Sequence, residues 1–328
     1  MIRKKFDYMK VITIIVPCYN EQESLYLFYD EIVKYMVNPN YHFELLFIND
    51  GSKDNTLNIL RELSEKDDRI GYISFSRNFG KEAAMQAGLE KCIDNDAVIM
   101  IDADLQHPPV LINDMIKYWE EGYNLVYAKN RSRKGEPKLK VMFAKMFYRL
   151  FAHFSNIKLE ESVKDFQLLD NKVIKAYLSI KDNNRFVKGM FSWVGFTKKC
   201  LLYDYVDRQA GKTTWNFKKL FKYGFNGINQ YSSLLMIFPI LGMMFVGAVT
   251  IVDIVLYVLT ATNVGNYMDL GFFLQQLQLN VYMFIILIMI YFLFYLLYNI
   301  RTEVLKRPIY LIEEESDCKA SLKVKKDE

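Results

Sequence analysis

The sequence predicts an α/β domain built on a mainly parallel sheet, followed by two membrane-spanning helices. Three observations carry that prediction. In the N-terminal part, short β-rich runs alternate with stretches of helical periodicity, the pattern of βαβ units. The ends of those runs are polar, and two of them carry acids directly after a buried-looking strand. Toward the C-terminus lie two long apolar stretches, Leu234–Val252 (19 residues) and Leu270–Ile300 (31 residues), neither holding a charge.

The elements follow in order. The opening "MIRKKFDYMKVITIIVPCYNEQES" starts basic, but its apolar run is short and ends in "YNEQE" without a small-residue cleavage site, so Val11–Val16 reads as a first strand rather than a signal peptide. Further strands are expected at Phe43–Asn49, Ile70–Phe75, Ala97–Asp102 and Asn124–Ala128, with helices at Glu23–Val37 and Thr56–Lys66. Ligands of open α/β sheets bind beyond the carboxyl ends of the strands. Those ends read "PCYNE", "NDGSKDNT", "SRNFGKEAA" and "DADLQHPP". Asp54 reads most simply as a helix N-cap, whereas Asp50 and Glu21 do not. No GxGxxG or GxxxxGK[ST] pattern is present, which leaves dinucleotide oxidoreductases and P-loop NTPases without support.

The stretch "MIDADLQHPP" concentrates chemistry. If strand geometry continues through Asp102-Ala103-Asp104, the two carboxylates point to one side. Two carboxylates sharing a site repel, and a divalent cation that also binds a diphosphate relieves them. Oxygen ligands with no His/Cys cluster point to Mg²⁺ or Mn²⁺ rather than zinc. His107 reads either as a ligand or as a residue shaping the turn with Pro108 and Pro109. Lys81, after "RNFG", reads either as charge near the phosphates or as a solvated first-turn lysine. The four cysteines, Cys18, Cys92, Cys200 and Cys318, lie far apart, which fits neither a metal site nor a disulfide framework.

Each of the two apolar stretches is long enough to cross a hydrocarbon core. Lys212, Lys218, Lys219 and Lys222 precede the first, and Arg301, Lys306 and Arg307 follow the second. Between them stands Asp269 and no basic residue. The positive-inside rule then places both termini in the cytoplasm and a short hairpin loop outside. Asp253 falls near the outer end of the first span. "KNRSRKGEPKLKVMFAKMFYRLF" (129–151) turns from basic to amphipathic, a membrane-surface pattern. The formal net charge of +4 is modest, and no nucleic-acid partner is expected.

"IVPCYNE", "NDGSKDNT", "SRNFGKEAAMQAGL" and "DADLQHPP", in this order, resemble the catalytic domain of family 2 glycosyltransferases of the GT-A fold. "VKDFQLLD" (163–170), "RFVKGMFSWVGF" (185–196), "RQAGKTTWNFKKL" (208–220) and the two spans narrow the resemblance to polyprenyl-phosphate sugar transferases, the group of bactoprenol glucosyltransferases and dolichyl-phosphate mannose synthase. Two departures stand out: no QxxRW pattern of processive synthases occurs, and Thr213-Thr214-Trp215 stands where family members often show SKY.

The resemblance implies a cytoplasmic catalytic domain over 1–210 with an interfacial helix near 138–154, a juxtamembrane amphipathic segment at 211–230, a transmembrane hairpin at 231–300 and a cytoplasmic tail at 301–328. It implies one-sugar transfer, with inversion, from a nucleotide-sugar donor, UDP-glucose or UDP-N-acetylglucosamine, to undecaprenyl phosphate at the bacterial cytoplasmic membrane. Pro17, Tyr19, Glu21, Asp50, Lys81 and Asp102 would bind the nucleotide sugar. Asp102, Asp104 and Gln106 would hold Mg²⁺ or Mn²⁺, Arg131 and Arg133 the acceptor phosphate, and Asp165 with Asp104 would be catalytic. A flippase, a second transferase and a further copy of the chain are the implied protein partners. The alternatives are a GDP-mannose-using mannose synthase, a processive polysaccharide synthase, and a non-catalytic membrane scaffold that binds sugar nucleotides.

Overall fold

The structure is a computed structural model that describes residues 9–131, 149, 163–182, 187–204, 268–305 and 307–319, with scattered residues between 241 and 262. Its centre is an eight-stranded sheet. The strands are β1 (Lys10–Cys18), β2 (Tyr41–Asn49), β3 (Ile70–Phe75), β4 (Ala97–Met100), β5 (Leu125–Asn130), β6 (Val163–Asp170), β7 (Lys198–Tyr203) and β8 (Ile312–Ser316). Their order is β7-β5-β6-β4-β1-β2-β3-β8. β4, β1, β2 and β3 run parallel, as the βαβ reading requires. β6 enters antiparallel between β4 and β5, and β8 closes the other edge antiparallel to β3.

Helices cover both faces: α1 (Leu25–Ile32, continued by a short 3₁₀ turn, Val33–Tyr35), α2 (Thr56–Lys66), α3 (Lys81–Lys91), α4 (Leu111–Glu120), α5 (Asn171–Ser179) and α6 (Val187–Trp193). Alternate strand residues feed two cores. Ile12, Ile14, Val16, Leu45 and Phe47 pack with Phe28, Leu60 and Met115 on one side. Ile15, Leu46, Ile48 and Val98 pack with Ala84, Leu89 and Tyr177 on the other. Burial on both faces is why these strands read as near-continuous apolar runs. Gly88 lets α3 approach β1, since a Cβ there would stand 2.6 Å from Ile15 Cγ2.

The order β3-β2-β1-β4 reverses direction between β1 and β4, so the crevice at their carboxyl ends is the ligand site that such sheets provide. Two expectations are corrected here. β4 ends at Met100, not at Asp102, because the chain turns away into a loop in which Leu105 adopts φ 56°. The segment after residue 301 is not simply a tail: it returns to the catalytic sheet as β8. There Arg61 pairs with Glu314 (Nε to Oε1, 2.9 Å), Lys91 reaches Asp317 at 2.6 Å, and Tyr310 stacks on Phe75.

α7 (Met268–Val304) ends just before that return. Among the described residues it provides the one helix long and apolar enough to cross a membrane, over Val281–Arg301, with none of that window buried. The first expected span lies largely outside the described residues, as do Asp253, the expected interfacial helix apart from Arg149, and the juxtamembrane segment.

Candidate active site

Four loops meet at the carboxyl ends of β1 to β4. The first two are laced to each other. The Asn20 amide donates to Ser52 Oγ (2.9 Å) and the Lys53 amide to Asn20 Oδ1 (2.9 Å). The Glu21 amide donates to Thr56 Oγ1 (2.9 Å), and the Gln22 amide to Asp54 Oδ2 (3.2 Å). Asp54 Oδ1 also accepts from the Thr56 amide at the start of α2, but the N-cap position that the sequence assigned to Asp54 is held by Asn55, one residue later. Pro17 and Tyr19 are half-buried at this rim, and Glu21 accepts from Ser24 Oγ at 2.7 Å.

Asp50 is buried and fastens the third loop. Its carboxylate accepts from the amides of Phe79 (2.6 Å) and Gly80 (2.9 Å) and from Asn78 Nδ2 (2.9 Å). Burial pushes the Asp50 carboxyl up to about 6, against the pull of those two amides. Gly51 is required at the crossing: its φ is 62°, and a Cβ would meet the Arg77 carbonyl carbon at 2.3 Å.

The loop anchored by Asp50 delivers Lys81 at the first turn of α3. Lys81 is not solvated: its Nζ lies 2.5 Å from Asp102 Oδ1 and 2.6 Å from Asp165 Oδ2. Burial acts to lower the Lys81 pKa, but the charges and hydrogen bonds of the two aspartates outweigh it and hold the ammonium above the ordinary lysine value. The sheet explains the meeting. β6 runs antiparallel beside β4 with Gln167 opposite Met100, so Asp165, two residues before Gln167, lies beside the loop that carries Asp102 past the end of β4. The β5–β6 register shifts between Tyr127 and Lys129 beside this point, an irregularity of the sort found next to active sites.

Asp102, Asp104 and His107 form a group whose ligand atoms all lie within 4.8 Å of one another. The two aspartates thus converge as expected, but through a turn rather than through strand alternation. Asp104 is buried, and its Oδ1 accepts from the Gln106 amide at 3.1 Å. His107 is buried, stacked on Phe166, and its Nδ1 has no hydrogen-bond partner. Burial lowers its pKa, with the charge of Asp102 opposing, so the imidazole is neutral at pH 7. Of the two open readings of Lys81, the structure shows the one near the acidic groups, as a bridge of Asp102 and Asp165, and it sets His107 beside Asp102 and Asp104. The signal for the histidine was its place three residues after Asp104, directly before Pro108 and Pro109. Arg131, at the end of β5, is exposed and pairs with Asp204 at 3.3 Å. Arg133 lies outside the described residues.

A family model described as glycosyl transferase family 2 matches residues 13–178, the part of the chain that contains Asp50, Lys81, Asp102, Asp104, His107 and Asp165. A Bacillus subtilis protein named as glycosyltransferase CsbB is 42% identical over 222 residues, 68% of this chain and 67% of its own length. The bactoprenol glucosyl transferase of Shigella phage SfV is 38% identical over 222 residues, 68% of this chain and 72% of that protein. Among solved structures, the glucosyl-3-phosphoglycerate synthase of Mycobacterium tuberculosis with Mn²⁺, UDP and glucosyl-3-phosphoglycerate is similar with a TM-score of 0.44. It is 16% identical, over 67% of this chain and 79% of that one. The family model and the relatives define the class of protein as a glycosyltransferase enzyme. The chain belongs to glycosyl transferase family 2.

Proposed function

We propose that this glycosyltransferase moves a single sugar from a nucleoside-diphosphate donor, UDP-glucose or UDP-N-acetylglucosamine, to undecaprenyl phosphate at the cytoplasmic face of a bacterial membrane, with inversion. The observation that carries the reading is the cluster of Lys81, Asp102, Asp104 and Asp165 at the β1/β4 crevice. The likeness to a bactoprenol glucosyl transferase extends over 68% of the chain, and the apolar, unburied Val281–Arg301 supports a membrane setting for the acceptor.

Mg²⁺ or Mn²⁺ fits the donor set, because two carboxylates converge with a buried imidazole nitrogen that has no other partner. Asp102 and Asp104, with Gln106, would hold the ion, whose chemistry is to neutralise charge on the departing diphosphate. Pro17, Tyr19, Glu21 and Asp50 frame the nucleotide, Asp50 by fixing the loop that presents Lys81. Arg131 and Arg133 grip the acceptor phosphate, for which a guanidinium is suited. That phosphate has a second pKa near ~6 and is mostly dianionic at neutral pH, so it needs little help as a nucleophile. Asp165, held by Lys81, orients it and takes a proton only from the monoanion.

The test incubates the purified full-length protein with undecaprenyl phosphate and radiolabelled UDP-glucose, UDP-N-acetylglucosamine or GDP-mannose. A lipid bearing one sugar from a UDP donor is expected, and Asp104→Asn should lower its formation by at least ~10²-fold. Label transferred only from GDP-mannose overturns the donor assignment. Long polymer overturns one-sugar transfer, and no lipid product from any donor overturns the acceptor.

A further inference from the structure

We infer that His107 is itself a ligand of the metal, its Nδ1 joining Asp102 and Asp104 in a mixed nitrogen and oxygen donor set. The inference rests on the metal reading above and deepens it. Nδ1 is buried without a hydrogen-bond partner, a state proteins rarely leave unanswered. It lies 4.0 Å from Asp102 Oδ2, too far for a hydrogen bond and suited to two donors sharing one ion. Packing fixes its aim: the ring stacks on Phe166 at 5.6 Å and meets Tyr203 edge-on at 6.1 Å. The turn that carries it is set by Leu105 at φ 56° and followed by Pro108 and Pro109. Such backbone outliers cost energy and cluster where function requires them.

The two oxygens of Asp102 have separate neighbours, Lys81 at Oδ1 and His107 at Oδ2. A cation held between Asp102 Oδ2, Asp104 and His107 therefore does not require the Lys81 bridge to break. The imidazole also biases the choice of ion. Oxygen donors alone suit Mg²⁺, whereas a transition-metal ion takes a nitrogen donor more readily than Mg²⁺ does, so of these two ions Mn²⁺ should be preferred.

The test uses the purified full-length protein with UDP and Mn²⁺, read by electron paramagnetic resonance. Pulsed spectra of the wild type should show coupling of the bound Mn²⁺ to ¹⁴N, which ¹⁵N-histidine labelling converts to ¹⁵N coupling. His107→Phe, which keeps the stack on Phe166, should abolish that coupling and weaken Mn²⁺ at least ~10-fold, with a smaller effect on Mg²⁺ measured by competition. His42→Gln, at the opposite end of β2, should retain the coupling. Labelling needs no variant, so a poorly folding His107→Phe leaves the result readable. Bound Mn²⁺ without histidine nitrogen coupling in the wild type overturns the role of His107 and leaves metal dependence standing. No bound Mn²⁺ at all overturns both.

Discussion

Replacing Lys81 by Met tests whether this lysine is the internal counter-ion of the site. Its ammonium makes two contacts, 2.5 Å to Asp102 and 2.6 Å to Asp165. Each charge-assisted hydrogen bond contributes about 1.5–3 kcal/mol, and breaking a buried pair by removing one partner costs about 3–5 kcal/mol. The three side chains keep 26%, 26% and 32% of their exposure, and solvent screening lowers the expected loss to about 2–4 kcal/mol. For a catalytic domain of this size that is a fall in melting temperature of roughly 5–15 °C. Because the folded-state pKa of Lys81 is raised, its stabilisation is fully present below the ordinary lysine value of about 10.4 and is lost only as pH rises through the folded-state value. The gap between wild type and Lys81→Met should accordingly be equal at pH 7 and pH 9. Mn²⁺ with UDP should stabilise the variant more than the wild type, since an ion held by Asp102, Asp104 and His107 then meets an Asp102 carboxylate that Lys81 no longer neutralises. The assay is thermal unfolding in EDTA and in Mn²⁺ plus UDP. A variant that melts within ~1 °C of the wild type in EDTA, or that gains no more from Mn²⁺, refutes the reasoning.

Other outcomes follow from the same contacts. Asp165→Asn should bind donor normally and turn over slowly, with a smaller defect above pH ~7, where the acceptor phosphate is already dianionic; an equal defect in pH profiles from acid to alkali removes proton transfer from its role. Burial raises Asp50 to about 6, so the folded state binds this proton more tightly than the unfolded chain and stability falls as pH rises from about 4 to 6. Asp50→Asn should flatten that slope by about 2–3 kcal/mol in denaturant titrations, and an unchanged slope rejects the assignment. Gly71→Ala would set a Cβ 2.8 Å from the Ser316 carbonyl oxygen and 3.0 Å from Cys318 Sγ; it should free the C-terminal strand to limited proteolysis, and equal protection in variant and wild type counts against this packing. A cysteine placed at Asn266 should be labelled from outside intact cells and one at Ser321 should not; the reverse pattern inverts the topology.

What was legible in the sequence is what local pattern determines. Ile70–Phe75 and Thr56–Lys66 are bounded in the structure as their periodicity predicts, and the polar strand ends do gather at one crevice. β6 escaped notice as a strand because Lys164, Asp165 and Gln167 interrupt its apolar run. β8 escaped because an edge strand reading "IEEES" has no apolar face to announce it. The meeting of Asp102 and Asp165 at Lys81 depends on β6 lying beside β4, which no local spacing contains. Convergence of the DxD pair was anticipated through strand alternation, while the chain achieves it through a loop that turns at Leu105.

The return of the chain as β8 bears on how the site meets its acceptor. β3 would otherwise be an exposed edge, open to pairing with other chains, and all six of its residues are buried. The strand that closes this edge follows α7 after only seven residues, 305–311. A fully extended link of eight Cα steps reaches at most about 26–29 Å, and this one also carries Tyr310, committed to its stack on Phe75. With Val281–Arg301 seated in a bilayer, the β3 edge of the sheet cannot move farther than that from the helix end. The ion pairs of Glu314 with Arg61 and of Asp317 with Lys91 then fasten α2 and α3 to the same segment. α3 begins with Lys81, so the helix that holds the aspartate cluster is tied at its far end to the segment that follows Val281–Arg301. Under the proposed function, a lipid acceptor whose phosphate stays at the membrane surface would be reached by a domain tethered in this way, whereas a domain without this short link would have to find it by diffusion on a longer leash.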